Sequence, residues 1–375
     1  MRVVPLTPAL EPAWTAFVEG GDGGGSGIRG AEAAQPFHRL LWRDVLRRGY
    51  GFEDRSLIAL ATDGERNGGG GADGDGARAV GVLPLHLVRR PIGRPILLSA
   101  PQAVTAGPLA TDSATALALV AHARAEAERL DVAYLELRGG GAWTDGLEVE
   151  RLGGAPTWHR LDHHALFGRA LPADPDEVLG TIPRKQRAEV RKARKAGVTV
   201  VRDADAGRFH PLHARAVHRL GSPVAPRAYI EAILDLFGDE AEILTAEHRG
   251  RAVASVLSLK HRGWMMPYHA GAAPAAAALS AYPALYAAAM ERAVAEGLTH
   301  FEFGRSAVGT GAHAFKRNFG FAPTPLPSHV ALIRATAPPD MRANNPRLEP
   351  ITRAWRMLPP WLADRLGPWV SRQVV

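Results

Sequence analysis

The sequence predicts an α/β protein of two similar domains, each a mixed, mostly antiparallel sheet with packed helices. Three observations carry that expectation. The chain has 375 residues, more than one ordinary core accommodates. Its composition, 46% hydrophobic and 22% charged, is that of a folded globular chain. One order of strands and helix also occurs twice, at an offset of about 170 residues, too long for a solenoid repeat.

In the first copy, Leu57–Ala61 and Arg78–His86 read as a hairpin. Pro95–Ala100 follows as a strand, then a helix over 114–130, then the strand Val132–Arg138. In the second copy, Glu242–Ala246 and Arg251–His261 form the hairpin and Trp264–Ala270 the next strand. Pro283–Glu296 is the helix and Thr299–Arg305 the last strand. Arg-Ala-Val opens both second strands, and Glu136 and Glu302 sit centrally in both last strands. The expected division is 1–165, 166–335 and a Trp/Arg-rich tail over 336–375. Two glycine-rich stretches, Gly20–Gly30 and Asp63–Ala77, read as surface loops because neither sits between a strand and a helix.

Charge is concentrated. The net charge is +7, and Ile182–Gly197 holds seven basic residues against Glu189 alone. Periodicity makes this segment a helix, with Thr181 as N-cap, Pro183 in the first turn and Gly197 at its end. Arg184, Arg187, Arg191 and Arg194 fall on one stripe, the place to seek an anionic partner.

Several chemistries are excluded. The chain has no cysteine, hence no disulfide, thiolate nucleophile or Cys-ligated metal. G-x-S-x-G, H-E-x-x-H, a Walker A loop and a helix-opening G-x-G-x-x-G are all missing. His163 and His164 are adjacent, cannot share a helix face as metal ligands, and read as loop or edge residues. No metal site is expected. The N-terminus lacks the apolar core of a signal peptide and no long apolar run follows, so the expected location is the cytoplasm.

The densest candidate site is Phe301–Phe321. Arg305 and Ser306 stand at the C-terminal edge of a strand, where α/β sheets bind ligands. Gly309-Thr310-Gly311 offers backbone amides to an oxyanion. A short helix then places Ala312, Phe315 and Phe319 on one face, and His313, Lys316 and Arg317 on another. The competing reading makes Lys316 and Arg317 a solvated helix face.

These words carry a resemblance. Ile182–Val198, GSPVAPRAY at Gly221–Tyr229, PYHAGA at Pro267–Ala272, FEFGRS at Phe301–Ser306 and GTGAHAFKRNFGF at Gly309–Phe321 resemble the FemAB family. The likeness extends through FHRLLWRDVLRRGYGFEDR, AVGVLPLHLV and VAYLELR in the first half and NNPRLEPITRAWRMLPPWLADRLGP in the tail. More narrowly, the chain resembles FemAB-like proteins associated with the PEP-CTERM/exosortase system of exopolysaccharide-producing bacteria. The resemblance implies two tandem domains of the GCN5-related acetyltransferase (GNAT) fold. It implies direct acyl or aminoacyl transfer to an amine or hydroxyl, in cell-envelope or exopolysaccharide biosynthesis, from aminoacyl-tRNA or acyl-CoA. Lys316 matches a family lysine thought to stabilise developing negative charge. This chain departs from the family at Ala307 and Val308, where relatives tend to carry Lys-Arg, and at His269 and Ala270, where they carry Tyr-Gly.

The expected roles follow. Lys316 and Arg305 stabilise the oxyanion, with charged ends converging on a cleft lined by Tyr268 and Glu302, and Glu302 or His269 accepts the proton. Tyr268, His269, Ser306, Gly309, Thr310, Gly311, Arg184, Arg187 and Arg191 are candidate binding residues. No covalently bound cofactor is expected. The Arg/Gln-x-x-Gly-x-Gly/Ala word that cradles the pyrophosphate of CoA is absent before both helices, which favours a donor other than CoA or else a CoA site too degenerate to recognise. The partner is a tRNA, CoA or a nucleotide- or lipid-linked glycan. The alternatives are a non-catalytic anion-binding accessory protein and an acyl-CoA-dependent N-acetyltransferase. In the tail, Trp355, Met357, Leu358, Trp361, Leu362 and Trp369 alternate with Arg353, Arg356, Arg365 and Arg372. This suits either contact with the inner face of the membrane or a cap on the domains, with Pro359-Pro360 and Gly367-Pro368 cutting the helices short.

Overall fold

The structure is a computed structural model describing residues 1–20, 34–62, 78–139, 143–144, 151–152, 155–340, 345 and 348–373. Apart from Gly20, both glycine-rich stretches lie outside the described residues.

The first half runs β1 (Arg2–Pro5), α1 (Glu11–Glu19), α2 (Leu40–Tyr50), β2 (Glu53–Asp54), β3 (Leu57–Leu60), β4 (Ala79–Leu83), β5 (His86–Val88), β6 (Ile96–Leu98), β7 (Leu109–Ala110), α3 (Ser113–Arg129) and β8 (Tyr134–Arg138). β9 (Arg151–Leu152) and β10 (Ala155–Pro156) precede the long β11 (Trp158–Ala170). The second half runs α4 (Val178–Thr181), α5 (Arg184–Lys195), β12 (Val198–Asp203), α6 (Phe209–Leu220), α7 (Arg227–Phe237), β13 (Ala241–His248), β14 (Arg251–His261), β15 (Trp264–Ala272), α8 (Ala281–Ala295), β16 (His300–Ala307), α9 (Gly311–Asn318) and β17 (Pro323–Leu332). The tail forms α10 (Glu349–Met357) and α11 (Pro360–Ser371).

The duplicated unit is present. In each half a helix returns the chain to a strand parallel to an earlier one, β8 beside β6 after α3 and β16 beside β15 after α8, with the short β7 intervening in the first half. Each parallel pairing spans two residue pairs, Leu97↔Leu135 and Leu98↔Glu136 in one, Trp264↔His300 and Met265↔Phe301 in the other. Beyond them the strands separate and leave a split in the sheet.

The halves share one eleven-stranded sheet, ordered β12-β13-β14-β15-β16-β11-β17-β8-β6-β5-β2. They exchange closing strands. β11, which ends the first half, pairs with β16, and β17, which ends the second, pairs with β8. β11 and β17 pair with each other at the centre. The expected division at residue 165 therefore falls inside β11, not in a linker. His163 and His164 are on this central strand, so the loop or edge reading is corrected.

Two further expectations change. Arg78–His86 is two strands, because Pro84 cannot extend a ladder. β4 stays in a separate four-stranded sheet, β1-β3-β4-β7, while β5 joins the large one. Thr181 is not the cap of α5. Pro183 holds that position, and the Thr181 hydroxyl donates to the Val178 carbonyl at 2.7 Å.

One face of the second-half sheet is covered by α8 and α5. The alanines of α8 let it lie close over Phe301, Phe303 and Phe167, and Val190 and Ala193 bury the inner face of α5. Fully burying such a side chain contributes about 1.5–3 kcal/mol. The other face joins the halves. Trp42 of α2, Tyr229 and Phe237 of α7, Leu98 and Val104 of the first half and Met266 of β15 belong to one cluster. α6 crosses β15 at Gly271, where a Cβ would stand 2.3 Å from the His213 nitrogen.

Candidate active site

The site lies where β15 and β16 separate. Phe301 and Phe303 point toward α8, so Glu302 points to the opposite face. On β11, Leu166 pairs with Arg305 and Gly168 with Glu302, so Phe167 alone faces Phe303 and Gly304 and β16 bulges. Gly304 takes up the extra residue at φ +64°, which only glycine adopts without strain. Because paired residues share a face, Glu302 and Arg305 both lie on the face joining the halves.

Neither side chain makes a hydrogen bond or ion pair among the described residues. Burial raises the Glu302 carboxyl to about 7, with Lys316 pulling the other way. Burial, then Arg138, lower Arg305 to about 10. Tyr268 and Tyr229 flank Arg305, and their hydroxyls are 2.7 Å apart. The Tyr268 hydroxyl also donates to the Gln102 carbonyl at 2.6 Å, tying the second-half site to a first-half loop. The His269 ring centre is 4.2 Å from that of Tyr268, and its buried Nε2 has no partner. Burial, then His213 and Arg305, drive His269 well below the usual histidine range. It is therefore neutral at physiological pH.

Lys316 approaches from the other face. Its ammonium sits above the Phe167 and Phe303 rings at 5.6 and 5.9 Å. It donates to the carbonyls of Phe303 (2.5 Å), Arg305 (3.1 Å) and Gly304 (3.3 Å). An ammonium has three protons, so all its donors are committed to the bulge. Lys316 is thus no solvated residue, while Arg317 is exposed. The expected convergence of the two charged ends does not occur: Lys316 touches the Arg305 backbone, and the Arg305 guanidinium lies on the opposite face beside Tyr268. Burial lowers Lys316 to about 7, opposed by Glu302.

The remaining candidates are dispersed. Ser306 is buried on the strand, opposite Ala165. Thr310 caps α9, accepting from the His313 amide and donating to the Ala307 carbonyl, and Gly309 and Gly311 flank it. Arg184 and Arg191 are exposed on α5 and Arg187 is half-buried. That helix packs on the α8 face, so the basic stripe and the Arg305 guanidinium lie on opposite sides of the sheet. Arg194 of the same stripe binds Glu291 at 2.7 and 2.8 Å.

Sequence reasoning missed Arg138, Tyr229, Gln102 and His164. A signal existed for the first: VAYLELR and THFEFGR both carry an arginine after the shared glutamate. Among the described residues no cluster of side chains suits a metal ion.

Residues 184–317 match the family described as Acetyltransferase (GNAT) domain. The whole chain resembles two solved structures. One is FemX, with 13% identity, TM-score 0.60 and coverage of 94% of this chain and 100% of that one. The other is a tandem GNAT protein from the clavulanic acid biosynthesis pathway, with 18% identity, TM-score 0.52 and coverage of 90% and 99%. No curated protein matches the sequence. The chain has a tandem GNAT-like fold, and the domain match together with that fold supports an acyltransferase.

Proposed function

We propose that the protein transfers an activated acyl or aminoacyl group from a donor other than CoA to an amine or hydroxyl, in cell-envelope or exopolysaccharide synthesis. The nucleophile attacks the acyl carbon, the donor ester bond breaks, and Glu302 takes the nucleophile's proton and passes it to the leaving oxygen. A carboxyl with its midpoint near 7 is matched to that task. Arg305 supplies positive charge on the same face. Lys316 is a positioning residue that holds the bulge presenting both.

One observation carries the choice of donor. A helix N-terminus attracts phosphate because its amides and dipole are unsatisfied. Here both helices that follow a split strand already carry a carboxylate. Asp112 caps α3, accepting from the Thr115 amide at 2.7 Å. Glu189 reaches from α5 to accept from Ser280, the N-cap residue of α8. A pyrophosphate at either end meets a like charge. The exposed arginines of α5 suit a tRNA instead.

Equilibrium dialysis of the protein against acetyl-CoA and against 3′-aminoacylated tRNA tests this. Binding of the tRNA with none of acetyl-CoA is expected, and the reverse contradicts it.

A peripheral membrane contact is the second reading. α10 and α11 pack on α6 and cap it, yet Trp361 and Trp369 remain 67% and 57% exposed. They share a face of α11 with Arg365 and Arg372, and Pro368 lies inside that helix instead of ending it. Among the described residues no helix is long and apolar enough to cross a membrane. Co-sedimentation with anionic vesicles, lost in Trp361→Ser/Trp369→Ser, is the expected result. Sedimentation unchanged by the substitutions contradicts it.

A further inference from the structure

The strand exchange brings together the ends of β8 and β16. Arg138 closes the first strand and Arg305 stands near the end of the second. Along β11 these ends arrive from opposite directions: Arg138 pairs with Ser328, which pairs with Leu161, while Ala307 pairs with His164. His164 lies between them. Burial, then Arg305 and then Arg138, lower it to about 3, so it brings no charge at neutral pH.

Arg138 is 2% exposed. Its Nε binds Glu136 Oε1 at 3.2 Å, but both terminal nitrogens are buried without a partner. The Arg305 guanidinium has no hydrogen-bond or ion-pair partner among the described residues. Of the groups acting on it, Glu136 is the one carboxylate and Arg138 the one guanidinium, so a single carboxylate faces the pair of arginines. One interior positive charge is therefore left without a counter-ion, an arrangement proteins rarely keep without use. Arg305, Tyr268, His269 and His164 each retain partial solvent access although burial shifts all four.

A second feature marks the same place. The loop after β6, which opens the first-half split, holds Ala100 at φ 41° and Gln102 at φ 66°. Neither is glycine, so both are strained, and such strain gathers at ligand sites. Tyr268 holds this loop through the Gln102 carbonyl.

We propose that Arg138 and Arg305, one from each half, form a site between the halves for an oxyanion of a substrate, a carboxylate or a phosphate. Each planar fork can offer two parallel donors to such a group. The proposal deepens the transferase reading by requiring a substrate that is itself anionic, and by making both halves necessary for binding it.

The test is thermal unfolding of the full chain at constant ionic strength, titrated separately with inorganic phosphate, pyrophosphate and N-acetylglycine. The wild type should show a saturable rise in melting temperature with at least one probe. A response to the phosphates identifies a phosphoryl-bearing substrate, and a response to N-acetylglycine a carboxylate. Arg138→Met and Arg305→Met should each weaken the apparent affinity at least tenfold. Without probe, Arg305→Met should melt no lower than the wild type, because one of two like charges is gone, whereas Arg138→Met should melt lower, because it leaves Glu136 buried without its partner. Arg305→Lys, which keeps the charge and loses the fork, should fall between. Lys185→Ala/Lys192→Ala, on the distant basic helix, should respond like the wild type. No wild-type response, an undiminished response in both methionine variants, or a response abolished by the lysine substitutions overturns the proposal. Failure of acyl transfer in a separate assay would leave this site standing, so the two readings fail independently.

Discussion

The strand after the long helix ends differently in the two halves. In the first, Glu136 and Arg138 are two residues apart, share a face and form a buried ion pair. In the second, one more residue separates Glu302 from Arg305. The bulge at Gly304 keeps them on one face but unpaired, and the Lys316 ammonium fills the backbone concavity it creates. A single inserted glycine thus turns a salt bridge into a protonatable acid and an available guanidinium. The first half gives the pattern in its structural form and the second in a form suited to chemistry.

The comparison breaks most readily at Glu302. Glu302→Gln should lower the transfer rate by about 100-fold or more, the usual contribution of a positioned proton acceptor. Glu136→Gln should leave the rate within about tenfold while costing about 1–3 kcal/mol, because it weakens the buried Arg138 pair. Equal losses in the two variants would erase the distinction between the halves. Next in size is Lys316→Met. It frees the bulge without touching substrate and should cost about 100-fold in kcat with KM little changed, as expected for displacement of catalytic groups by about 1 Å. A KM effect alone would place Lys316 in binding.

Gly304→Ala sharpens the point at the backbone. A φ of +64° disfavours alanine, so a loss of about 1 kcal/mol or somewhat more is expected in chemical denaturation. Unchanged stability would mean that the bulge relaxes freely.

The Glu302–Lys316 pair also predicts opposite pH effects. Glu302 is raised to about 7 in the fold, so the native state holds a proton that the unfolded state has released. Its contribution to stability falls as pH rises from about 4.5 to 7. Lys316 is lowered to about 7, so above that pH the unfolded state holds the extra proton. Its contribution rises from about 7 toward 10.5. The difference between the wild-type and Glu302→Gln stability curves should contain the acid limb only, and the difference from Lys316→Met the alkaline limb only. The smallest effect is on α5. Arg187→Ala/Arg191→Ala should flatten the salt dependence of tRNA binding by about 0.7–0.9 in log–log slope per lost contact. An unchanged slope would remove α5 from the interface.

Local pattern made much of this legible. The bounds of β14 agree with the sequence reading, and those of α3, α5 and α8 differ by a residue or two, because apolar spacing and capping are written within each segment. The exchange of β11 and β17 was not legible, since pairing between distant segments leaves no mark in either one. His163 and His164 were misread for that reason. Pro84 did carry a signal, a proline within an apparent strand, and it marks the break between β4 and β5. Lys316 was identified as a residue of the site from its word, but its partners are backbone carbonyls, which side-chain patterns do not reveal. Arg138 was hidden because its importance lies in what it fails to pair with.

The most direct test of the claim that the bulge frees Glu302 is a carbon-13 NMR pH titration of the glutamate side-chain carboxyls. The wild type should show a carboxyl with its midpoint near pH 7, and that signal should vanish in Glu302→Gln and persist in Glu136→Gln. If every glutamate carboxyl titrates below about pH 5.5, or if the signal near 7 survives in Glu302→Gln, Glu302 is an ordinary carboxylate and the contrast between the two halves is wrong.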